Sequence, residues 1–515
     1  MKENRRDFLK KTGSCALGMA SLATQMGHLG TMNALAQKVI DEKNAPEGGD
    51  SYKALVLLFW SGGNDGNNMI IPNHNDATIS NYTAYSNLRT PQGLAIPQPN
   101  LLPITVPRMG NLDYGMHPNL GILPLQGDQI VNNGIHELWA MQKLAVVTNV
   151  GTLVRPLLKS QYTNAAFQKP YQLFSHSDQV TQGQTAMSNT QGFTGWGGRT
   201  ADRMNAGSNP TGLVPMITSI AGAQLFTAGQ STLPLAIADS NTSLANVLNP
   251  AGFTNTGGPA RLTAFNALRQ LDLNSNYIAA ASHVTDLAMQ ANAALQVSQE
   301  VTEVFPNTSI GRQMKQVARL IKKRLDLNVN RQVFYVQIGG FDTHTNQLPN
   351  QINLFTQFSQ AMRAFYNEMV IQGVSNEVTT FSLSDFGRTM NPAGTGGIVG
   401  SDHAWGNHMF VMGGGVRGGD FYGSKRPDGT GNYYPTLLMG NAVGAFDDAD
   451  SSSTGRGRWI PTTSVEMYCR RLAQWFGLQP GDEPVVFPNY HANNQGGIDH
   501  RNHDAANAGT LNFML

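Results

Sequence analysis

Cysteine is nearly absent from this sequence. The chain has 515 residues and two cysteines, Cys15 and Cys469. Cys15 lies in an N-terminal segment that we expect to be removed, so the mature protein would hold one cysteine and no internal disulfide. A chain of this length can bury a sufficient core without one. Cys469 lies in a stretch with apolar residues on one helical face, which predicts a buried packing role rather than a reactive thiol.

Charge is also sparse. Asp, Glu, Lys and Arg make up 13% of the residues, against about 25% in an average globular domain, and the net charge is +1. No basic block favours nucleic acid, and no polybasic helix favours a membrane surface. Beyond the N-terminus no run reaches the roughly 18 uninterrupted apolar residues that span a bilayer, so we expect no transmembrane segment in the mature chain. A small charged ligand is therefore favoured over a large charged partner.

The N-terminus has the features of an export signal. It carries NRRDFLKK at 4–11, then a stretch rich in small residues, and an A-x-A site at 34–36. This pattern resembles a twin-arginine signal; the alternative is a chance arginine pair before a small-residue helix. We predict a signal peptide over 1–36 and the twin-arginine export machinery as a partner. The protein would reach the periplasm or the cell surface already folded, which suits a protein that must first acquire a metal or cofactor.

The second half of the chain alternates between helical and strand patterns. Such alternation implies right-handed crossovers and a parallel sheet. A further strand is expected beside the one that begins at 54. The predicted elements are a helix around 309–325, a strand at 332–338, a helix around 351–371, a strand at 377–383 and the further strand at 144–151.

Two long segments interrupt this alternation. Residues 73–140 look irregular and rich in Pro and Asn, and residues 260–303 carry Leu and Ala at helical spacing. Because no linker rich in Pro or Ser separates independent units, we interpret both as insertions around one central sheet. The expected fold is a single α/β domain over 37–515, with a mostly parallel sheet flanked by helices.

Three strand-like runs each end in an acidic motif. They are ALVLLFWSGGNDG (54–66), VFYVQIGGFDTH (333–344) and VTTFSLSDFGRT (378–389). In open parallel sheets ligands bind beyond the carboxyl ends of the strands, so we expect the three motifs to converge on one site. Their carboxylates and imidazole indicate a metal centre.

The first two motifs differ in specificity. Asp65 follows a Gly-rich turn, where it would either ligate a metal or cap the next helix. Asp342 and His344 leave the same strand end one residue apart. A carboxylate with an imidazole suits zinc, manganese or iron better than magnesium or calcium. The alternative for this pair is a hydrogen bond within the loop.

The third motif and the loop after it add further candidates. Asp385 is a third strand-end carboxylate, and Arg388 would either clamp a tetrahedral anion or neutralise Asp385 in a structural ion pair. The Gly-rich loop that follows supplies Asp402, His403 and His408. We predict His403 as a ligand. For His408, ligation competes with a role in packing or beside the ligands.

Motifs that occur in order along the chain match a known family. They are LVLLFWSGGNDGNNMIIP, YGMHPNLGILPL, LAVVTNVGTLVRPLLKSQY, FSHSDQ, GWGGRTAD, FYVQIGGFDTHTNQ, FSLSDFGRT, SDHAWGNHMFVMGGGVRGGDFYG and RWIPTTSVEMYCRRLAQWFGL. Over 52–478 the chain resembles the exported bacterial family called domain of unknown function 1501, grouped with the alkaline phosphatase and sulfatase superfamily. The resemblance implies an alkaline-phosphatase-like α/β fold whose metal centre hydrolyses or transfers phosphate, sulfate or related esters.

The resemblance also implies a ligand set for one or two divalent ions, with zinc or manganese expected. Phe386 stands where the superfamily usually has His, which questions a full two-metal site and would require Asp402 or His408 to substitute. The ligands implied by position are Asp65, Asp342, His344, Asp385 and His403.

A nucleophile is expected at the start of the helix after the second strand, where the superfamily places a Ser, Thr or modified Cys. The helix dipole and free amides there favour an anion. FSHSDQ (174–179) occupies a comparable place, so Ser175 and Ser177 are the candidates, with N-cap roles or a bound water as alternatives. No Cys lies in this segment, which disfavours a formylglycine sulfatase.

Two classes of function follow. The first is an exported metal-dependent hydrolase of a small anionic ester, in which Arg388 offsets charge in the transition state. The second is a non-catalytic, metal-stabilised secreted binding or scaffold protein on the same fold, with a surface glycan or another exported protein as partner. A redox enzyme lacks support, because GGGVRGG (413–419) does not open a helix after a strand.

Overall fold

The computed structural model describes residues 51–123, 133–232, 234–247, 256–268, 276–296, 300–394, 398–492 and 499–515. The expected signal peptide and Cys15 lie outside these residues. Within them, no helix combines the length and the apolar composition needed to cross a bilayer.

The β-strands of the described residues form two sheets, one of nine strands and one of three. The strands are β1 (Lys53–Trp60), β2 (Ile70–Pro72), β3 (Leu102–Val106), β4 (Leu112–Met116), β5 (Leu144–Gly151), β6 (Ile217–Ser219), β7 (Leu235–Ala236), β8 (Arg331–Ile338), β9 (Val378–Ser384), β10 (Asn407–Gly413), β11 (Phe421–Tyr422) and β12 (Thr463–Ser464).

The helices include both of those predicted in the second half of the chain, with bounds shifted by a few residues. The described α-helices are α1 (Tyr82–Arg89), α2 (Glu137–Ala140), α3 (Lys159–Tyr162), α4 (His176–Thr185), α5 (Trp196–Ser208), α6 (Leu244–Val247), α7 (Gly258–Leu268), α8 (Asn276–Gln296), α9 (Ser309–Lys322), α10 (Gln347–Ile371), α11 (Val465–Phe476), α12 (Glu483–Val486), α13 (Pro488–His491) and α14 (His500–Ala506). Short 3-10 helices are Thr90–Gln92, Gln98–Asn100, Pro107–Met109, Pro118–Leu120 and Leu225–Thr227.

The larger sheet is mostly parallel, as predicted. Its strand order is β11-β5-β10-β9-β1-β8-β6-β7, and β12 pairs with β5. Among the described strands of this sheet, β10 alone runs antiparallel to its neighbours, which are β5 and β9. The smaller sheet is antiparallel, in the order β2-β4-β3.

Two predictions about the fold are wrong, one about the neighbour of a strand and one about the regularity of a segment. Residues 144–151 form β5, but β9 and β10 separate it from β1. Instead, Ala54 of β1 aligns with Gln332 of β8 on one side and with Val378 of β9 on the other. The segment 73–140 is also more regular than predicted, since it contains α1, β3 and β4. A local pattern shows that a strand is buried but not which strand lies beside it.

β1 is the buried centre of the larger sheet. Every residue from Ala54 to Trp60 is at most 1% exposed. Because successive side chains of a strand point to opposite faces, this burial shows that both faces of the sheet are covered. α9 packs against β8 and α10, and α11 packs against β1 and β5. Cys469 is buried in α11, as predicted, and burial raises the pKa of its thiol.

The carboxyl ends of β1, β8 and β9 meet at one edge of the sheet, which we call the carboxyl edge. The parallel register aligns Trp60 with both Ile338 and Ser384. β10 runs the other way, so Asn407 at its amino end lies at this edge together with the loop that precedes it. The three acidic motifs therefore begin at one edge, which is the arrangement predicted.

Gly62 makes a tight turn at the carboxyl edge. Its φ of +113° lies in a region that residues with a side chain rarely adopt. Its N–H donates to Asp385 Oδ1 at 3.1 Å. A Cβ at this position would lie 2.4 Å from the backbone nitrogen of Asp342. Glycine here lets two of the acidic motifs approach each other.

Gly62→Ala should destabilise the protein. The added methyl group meets the backbone before Asp342, so we expect the free energy of unfolding to fall by about 2–4 kcal/mol, more than the strain of a positive φ alone. Gly93→Ala is the matched control, because Gly93 has a φ of +76° and nothing within 4 Å of the added Cβ. Urea denaturation measures both variants. Equal losses would contradict the role of close backbone approach.

Candidate metal centre

Three imidazole nitrogens and one carboxylate oxygen meet at the carboxyl edge. His403 Nε2 lies 3.0 Å from His176 Nε2 and 2.9 Å from His344 Nε2. Asp342 Oδ1 lies 3.1 Å from His344 Nε2 and 3.5 Å from the Nε2 atoms of His176 and His403. We call these four side chains the histidine cluster.

Separate segments supply the histidine cluster. His176 is the first residue of α4, while Asp342 and His344 lie in the turn after β8. His403 lies in the loop before β10, where its backbone forms an isolated bridge with Arg388. The loops that follow β8 and β9 and precede β10 therefore lie side by side, and α4 begins beside them.

The outer nitrogen of each imidazole contacts a hydrogen-bond acceptor. Because these acceptors require an N–H, each ring is assigned the Nδ1–H tautomer, and the lone pair of each Nε2 faces the cluster. A carboxylate or carbonyl behind the ring is the usual arrangement of a metal-ligating histidine. The contacts are His176 Nδ1 with Asp385 Oδ2 (2.7 Å), His344 Nδ1 with Asp402 Oδ1 (3.2 Å) and His403 Nδ1 with the Phe174 carbonyl oxygen (2.9 Å).

A metal ion fits the spacing of the donor atoms. With these tautomers the Nε2 lone pairs face each other at 2.9–3.0 Å, and a shared cation would relieve their repulsion. Zn–N distances of about 2.0–2.1 Å in a tetrahedral site place the donor atoms about 3.3 Å apart. The donor atoms of His176, Asp342 and His403 all lie within 4.8 Å of one another, and among the described residues these three side chains form the group that could hold a metal ion. His344 Nε2 adjoins this group through its contacts with His403 and Asp342. Imidazole with carboxylate suits zinc and also manganese or iron. The donor set therefore fits the kind of metal predicted from the sequence.

Arg388 keeps Asp342 anionic. Its buried guanidinium contacts Asp342 Oδ1, and its other nitrogens donate to the carbonyls of Gly63 and Ser401, each at 2.9 Å. Burial acts to raise the pKa of Asp342, but the hydrogen bond and charge of Arg388 outweigh it and lower the pKa. Arg388 thus forms the structural ion pair that was one alternative, although its partner is Asp342 and not Asp385.

The histidines of the cluster differ in proton affinity. The hydrogen bond that His176 Nδ1–H donates to Asp385 raises the pKa of His176, against the effect of burial. Burial lowers the pKa of His403, and the charge of Arg388 lowers it further. A His403 that is neutral at pH 7 keeps its Nε2 lone pair available for a metal.

The phenyl ring of Phe386 packs against two imidazole rings of the cluster. Its ring centroid lies 4.7 Å from that of His176 and 4.6 Å from that of His403. The side chain is buried. Phe386, at the position where the resemblance implied a histidine, thus packs against two imidazole rings of the cluster.

Asp65 lies in a separate buried ion pair. Its Oδ2 lies 2.6 Å from Arg89 Nη1, and its Oδ1 accepts from Arg89 Nη2 and from the Asn67 N–H, each at 3.1 Å. Gln347 Nε2 also donates to Oδ2. Protein donors thus engage both carboxylate oxygens, and the structure does not bring Asp65 to the histidine cluster. Among the described residues, one group of side chains at the carboxyl edge could hold a metal ion, and Asp65 is not part of it.

Three other predicted ligands lie outside the cluster. Asp385 lies behind His176, with its Oδ2 2.7 Å from His176 Nδ1 and its Oδ1 accepting from the Gly62 N–H at 3.1 Å. His408 is buried, burial lowers its pKa to about 3, and its ring stacks on Tyr434 at 4.9 Å. His408 therefore has a packing role, which the sequence analysis gave as the alternative to metal ligation. Asp402 lies behind His344, and its second oxygen contacts Arg456. Asp402 therefore contacts the outer nitrogen of His344 and does not join the cluster.

Ser175 and Ser177 lie on either side of His176. Ser175 has the N-cap position of α4, but its side chain makes no capping hydrogen bond. Instead its Oγ donates to Asp178 Oδ2 at 2.6 Å, and Ser177 Oγ lies 3.3 Å from the same oxygen. A side-chain cap therefore does not explain Ser175.

His176 is the cluster residue that sequence reasoning missed. The segment FSHSDQ (174–179) is singled out for its serines and not for this imidazole. Part of the signal was present, since the family resemblance already places the start of this helix at the site. The contact itself joins His176 to His403, 227 positions further along the chain. No local pattern reports a contact of that range.

Comparison with known proteins establishes the family. The family model described as "Protein of unknown function (DUF1501)" matches residues 52–436, and the chain belongs to this family. No curated protein matches the sequence.

Two solved structures are similar to the chain at low identity. The lipoteichoic acid synthase LtaP from Listeria monocytogenes is 8% identical, with 76% of this chain and 72% of that chain covered and a TM-score of 0.24. The PsFucS1 sulfatase from Pseudoalteromonas sp. is 10% identical, with 76% and 67% covered and a TM-score of 0.24. TM-scores this low carry no argument, so the alkaline-phosphatase-like architecture stays a prediction.

Asp65→Asn should cost stability and leave the metal in place. The change leaves the fully buried Arg89 without its counter-ion, so we expect the free energy of unfolding to fall by about 3–5 kcal/mol. Asp482→Asn is the matched control, because it breaks a partly exposed pair with Arg203 and should cost less than about 1 kcal/mol. Urea denaturation and elemental mass spectrometry provide the two measurements. Loss of metal in Asp65→Asn would return this residue to the ligand set.

Proposed function

We propose that this DUF1501 protein is an exported metal-dependent hydrolase of phosphate, sulfate or related esters. The observation that carries the proposal is the convergence of three imidazole nitrogens and one carboxylate oxygen. His176, Asp342, His344 and His403 would hold one divalent ion, with zinc or manganese expected. A metal bound there would supply Lewis acidity toward an ester oxygen. The export part rests on the motif at 4–11, outside the described residues.

The histidine cluster is accessible from solvent. Its side chains are 33% exposed at His176, 43% at His344, 25% at His403 and 51% at Asp342. A small ester can therefore reach the donor atoms without local unfolding. This access supports a site that handles a ligand.

The charges around the cluster favour an anionic ligand. Arg388 contacts Asp342 and Arg456 contacts Asp402, so two of the nearby carboxylates are already paired with an arginine. Asp385 and Asp178 are then the carboxylates that remain to balance a divalent ion. The ion itself would supply the positive charge that a phosphate or sulfate group approaches.

Ser175 is the better placed of the two candidate nucleophiles. It is half-buried, lies one residue before His176, and donates to Asp178 Oδ2 at 2.6 Å. Asp178 would accept the hydroxyl proton as Oγ attacks the phosphorus or sulfur atom and the alkoxide leaves. Ser177 is exposed and lies 3.3 Å from the same carboxylate oxygen.

A metal-stabilised binding or scaffold protein is the second candidate, and one observation favours it. His344 would add a fourth donor to the group of His176, Asp342 and His403. Four protein ligands are the set of a structural zinc site, whereas a catalytic zinc keeps three protein ligands and an open position. Asp342 separates the two candidates because Arg388 contacts the same oxygen that would ligate the metal. If Arg388 retains that oxygen, the metal keeps an open position.

Replacing a cluster histidine should remove the metal. We expect the mature protein, 37–515, purified after native export without chelator, to hold about one ion per chain, and His176→Ala, His344→Ala and His403→Ala to hold little, because each loses a donor. Asp385→Asn keeps the donors and weakens their orientation, so metal affinity should fall about 10–100-fold. Elemental mass spectrometry and chelator competition measure these effects.

The control for metal content is His136→Ala. His136 lies outside the cluster, with its Nε2 3.0 Å from the Pro103 carbonyl oxygen, so this variant should keep its metal. A folded wild-type protein that stays empty after incubation with zinc, manganese and iron would refute the metal centre.

Ester hydrolysis separates the hydrolase from the scaffold. The metal-replete wild type should turn over members of a panel of aryl phosphate and sulfate esters. Ser175→Ala should lower kcat about 100-fold or more with metal content unchanged, because the nucleophile is lost, while Ser177→Ala should change kcat little. A metal-replete wild type that hydrolyses none of the panel would favour the scaffold.

A further inference from the structure

We propose that Arg155 forms an anion-binding site separate from the histidine cluster, and that its ligand is a phosphate or sulfate group. Arg155 lies in the segment that follows β5 and leaves the sheet at the carboxyl edge, where Val150 aligns with Asn407. The side chain is 6% exposed, so most of its surface is removed from water. A buried guanidinium requires a counter-charge or hydrogen-bond acceptors. Nothing in this site requires the metal of the histidine cluster.

Arg155 differs from the other buried arginines of the described residues because its guanidinium has no acceptor. No oxygen atom of the described residues accepts a hydrogen bond from it. Its contact is with the ring of Phe167, whose centroid lies 4.1 Å from Cζ. An aromatic face attracts a cation but leaves the N–H donors unused. The other buried arginines each donate to a carboxylate or a backbone carbonyl, and they are Arg89, Arg199, Arg331, Arg388 and Arg426.

The guanidinium of Arg155 keeps its N–H donors for a ligand. Its Nε is buried without a hydrogen-bond partner, whereas Nη1 and Nη2 are not buried in this way, so an ion from solvent can reach them. The planar fork of N–H groups matches the oxygen spacing of phosphate and sulfate, which it can bind through two parallel hydrogen bonds. An anion there would supply both the missing acceptors and the missing counter-charge.

The pKa values reflect the missing partner. Burial lowers the pKa of Arg155. Burial acts in the same direction on Arg89, but there the charge and the hydrogen bond of Asp65 outweigh it and raise the pKa. A bound phosphate or sulfate would have the same effect on Arg155 that Asp65 has on Arg89.

The charge of the surrounding segment favours an anion. Residues 152–177 contain Arg155, Lys159 and Lys169 and neither Asp nor Glu. Both lysines donate to backbone carbonyl oxygens, Lys159 at 3.0 Å and Lys169 at 3.1 Å, and within the described residues neither forms an ion pair with a carboxylate. Positive charge without carboxylate partners favours a doubly charged tetrahedral anion over a single carboxylate.

Arg155 and Lys169 lie on aromatic rings that belong to one apolar cluster. Lys169 Nζ lies 5.9 Å from the centroid of Tyr162, and Arg155 lies over Phe167. Tyr162 and Phe167 both pack against the small core of Leu153, Leu157, Trp405, Ala449 and Ile460. The two cations therefore share one region of the molecule, and both charges act on an anion bound there.

Arg155→Met tests the site, because methionine keeps an unbranched stem and removes the guanidinium. Thermal unfolding of the mature protein, 37–515, is followed with added phosphate or sulfate against chloride at constant ionic strength. We expect both anions to raise the melting temperature of the wild type and of His176→Ala, which should hold little metal, but not that of Arg155→Met. By titration calorimetry, phosphate should bind Arg155→Met about tenfold or more weakly than the wild type. Without added anion Arg155→Met should be at least as stable as the wild type, because it removes an unpaired buried charge.

Arg203→Met is the matched control, because it removes one positive charge from a partly exposed ion pair with Asp482. This variant should respond to phosphate and sulfate as the wild type does. Arg155→Lys keeps the charge and loses the planar fork, so it should bind phosphate more weakly than the wild type. Phenyl phosphate and phenyl sulfate, added to His176→Ala, distinguish a free anion from one carried on an organic group. Tighter binding than that of the inorganic ions indicates the carried group, and either result supports the site.

Equal stabilisation of the wild type and Arg155→Met by phosphate and sulfate would overturn the site. A wild type that these anions stabilise no more than chloride does would also overturn it. A response that Arg155→Met keeps and His176→Ala loses would assign the anion to the histidine cluster instead. If Arg155→Met does not fold, unchanged phosphate binding in Arg155→Lys would refute the site. Metal content, measured on the same samples, reports separately on the metal centre.

Discussion

The parallel pairing of β1 with β8 and β9 is the constraint on which the candidate site depends. Its register aligns Trp60 with both Ile338 and Ser384, so three chain segments leave the sheet at the same height. Gly62 then lets the backbones of two of these segments approach more closely than a side chain would allow. The donor atoms converge because backbone hydrogen bonds hold the strand ends in register.

The orientation of the cluster comes from groups behind each ring. Asp385 follows β9, Asp402 lies in the loop before β10, and Phe174 offers a backbone carbonyl just before α4. Phe174 has a φ of +74°, an unfavourable conformation for a bulky residue. A strained backbone conformation of this kind persists where contacts with the surrounding structure hold it in place. Here the same carbonyl contacts His403, a cluster residue.

Two carboxylate–arginine pairs at the carboxyl edge differ in the burial of their carboxylates. Asp65 and Arg89 are both fully buried and satisfy each other and their neighbours. Asp342 also pairs with a buried arginine, Arg388, but its own side chain is 51% exposed. The carboxylate of the first pair is therefore closed to a ligand, and the carboxylate of the second is exposed to solvent. Both aspartates follow strands, and burial distinguishes them only in the folded protein.

The sequence by itself determined two helices and two strands in the second half of the chain, the mostly parallel sheet and the edge at which its acidic motifs lie. Hydrophobic periodicity is a local property, and the predicted strands at 332–338 and 377–383 agree closely with β8 and β9. Asp342 and His344 were predicted from their position after a strand, and His403 from its place in a Gly-rich loop. The tertiary structure alone decided the strand order, the ion-pair partner of Asp65, the packing of His408 and the position of His176 in the histidine cluster. These depend on which segments meet, and chain segments far apart in sequence meet through packing and pairing that no local pattern encodes.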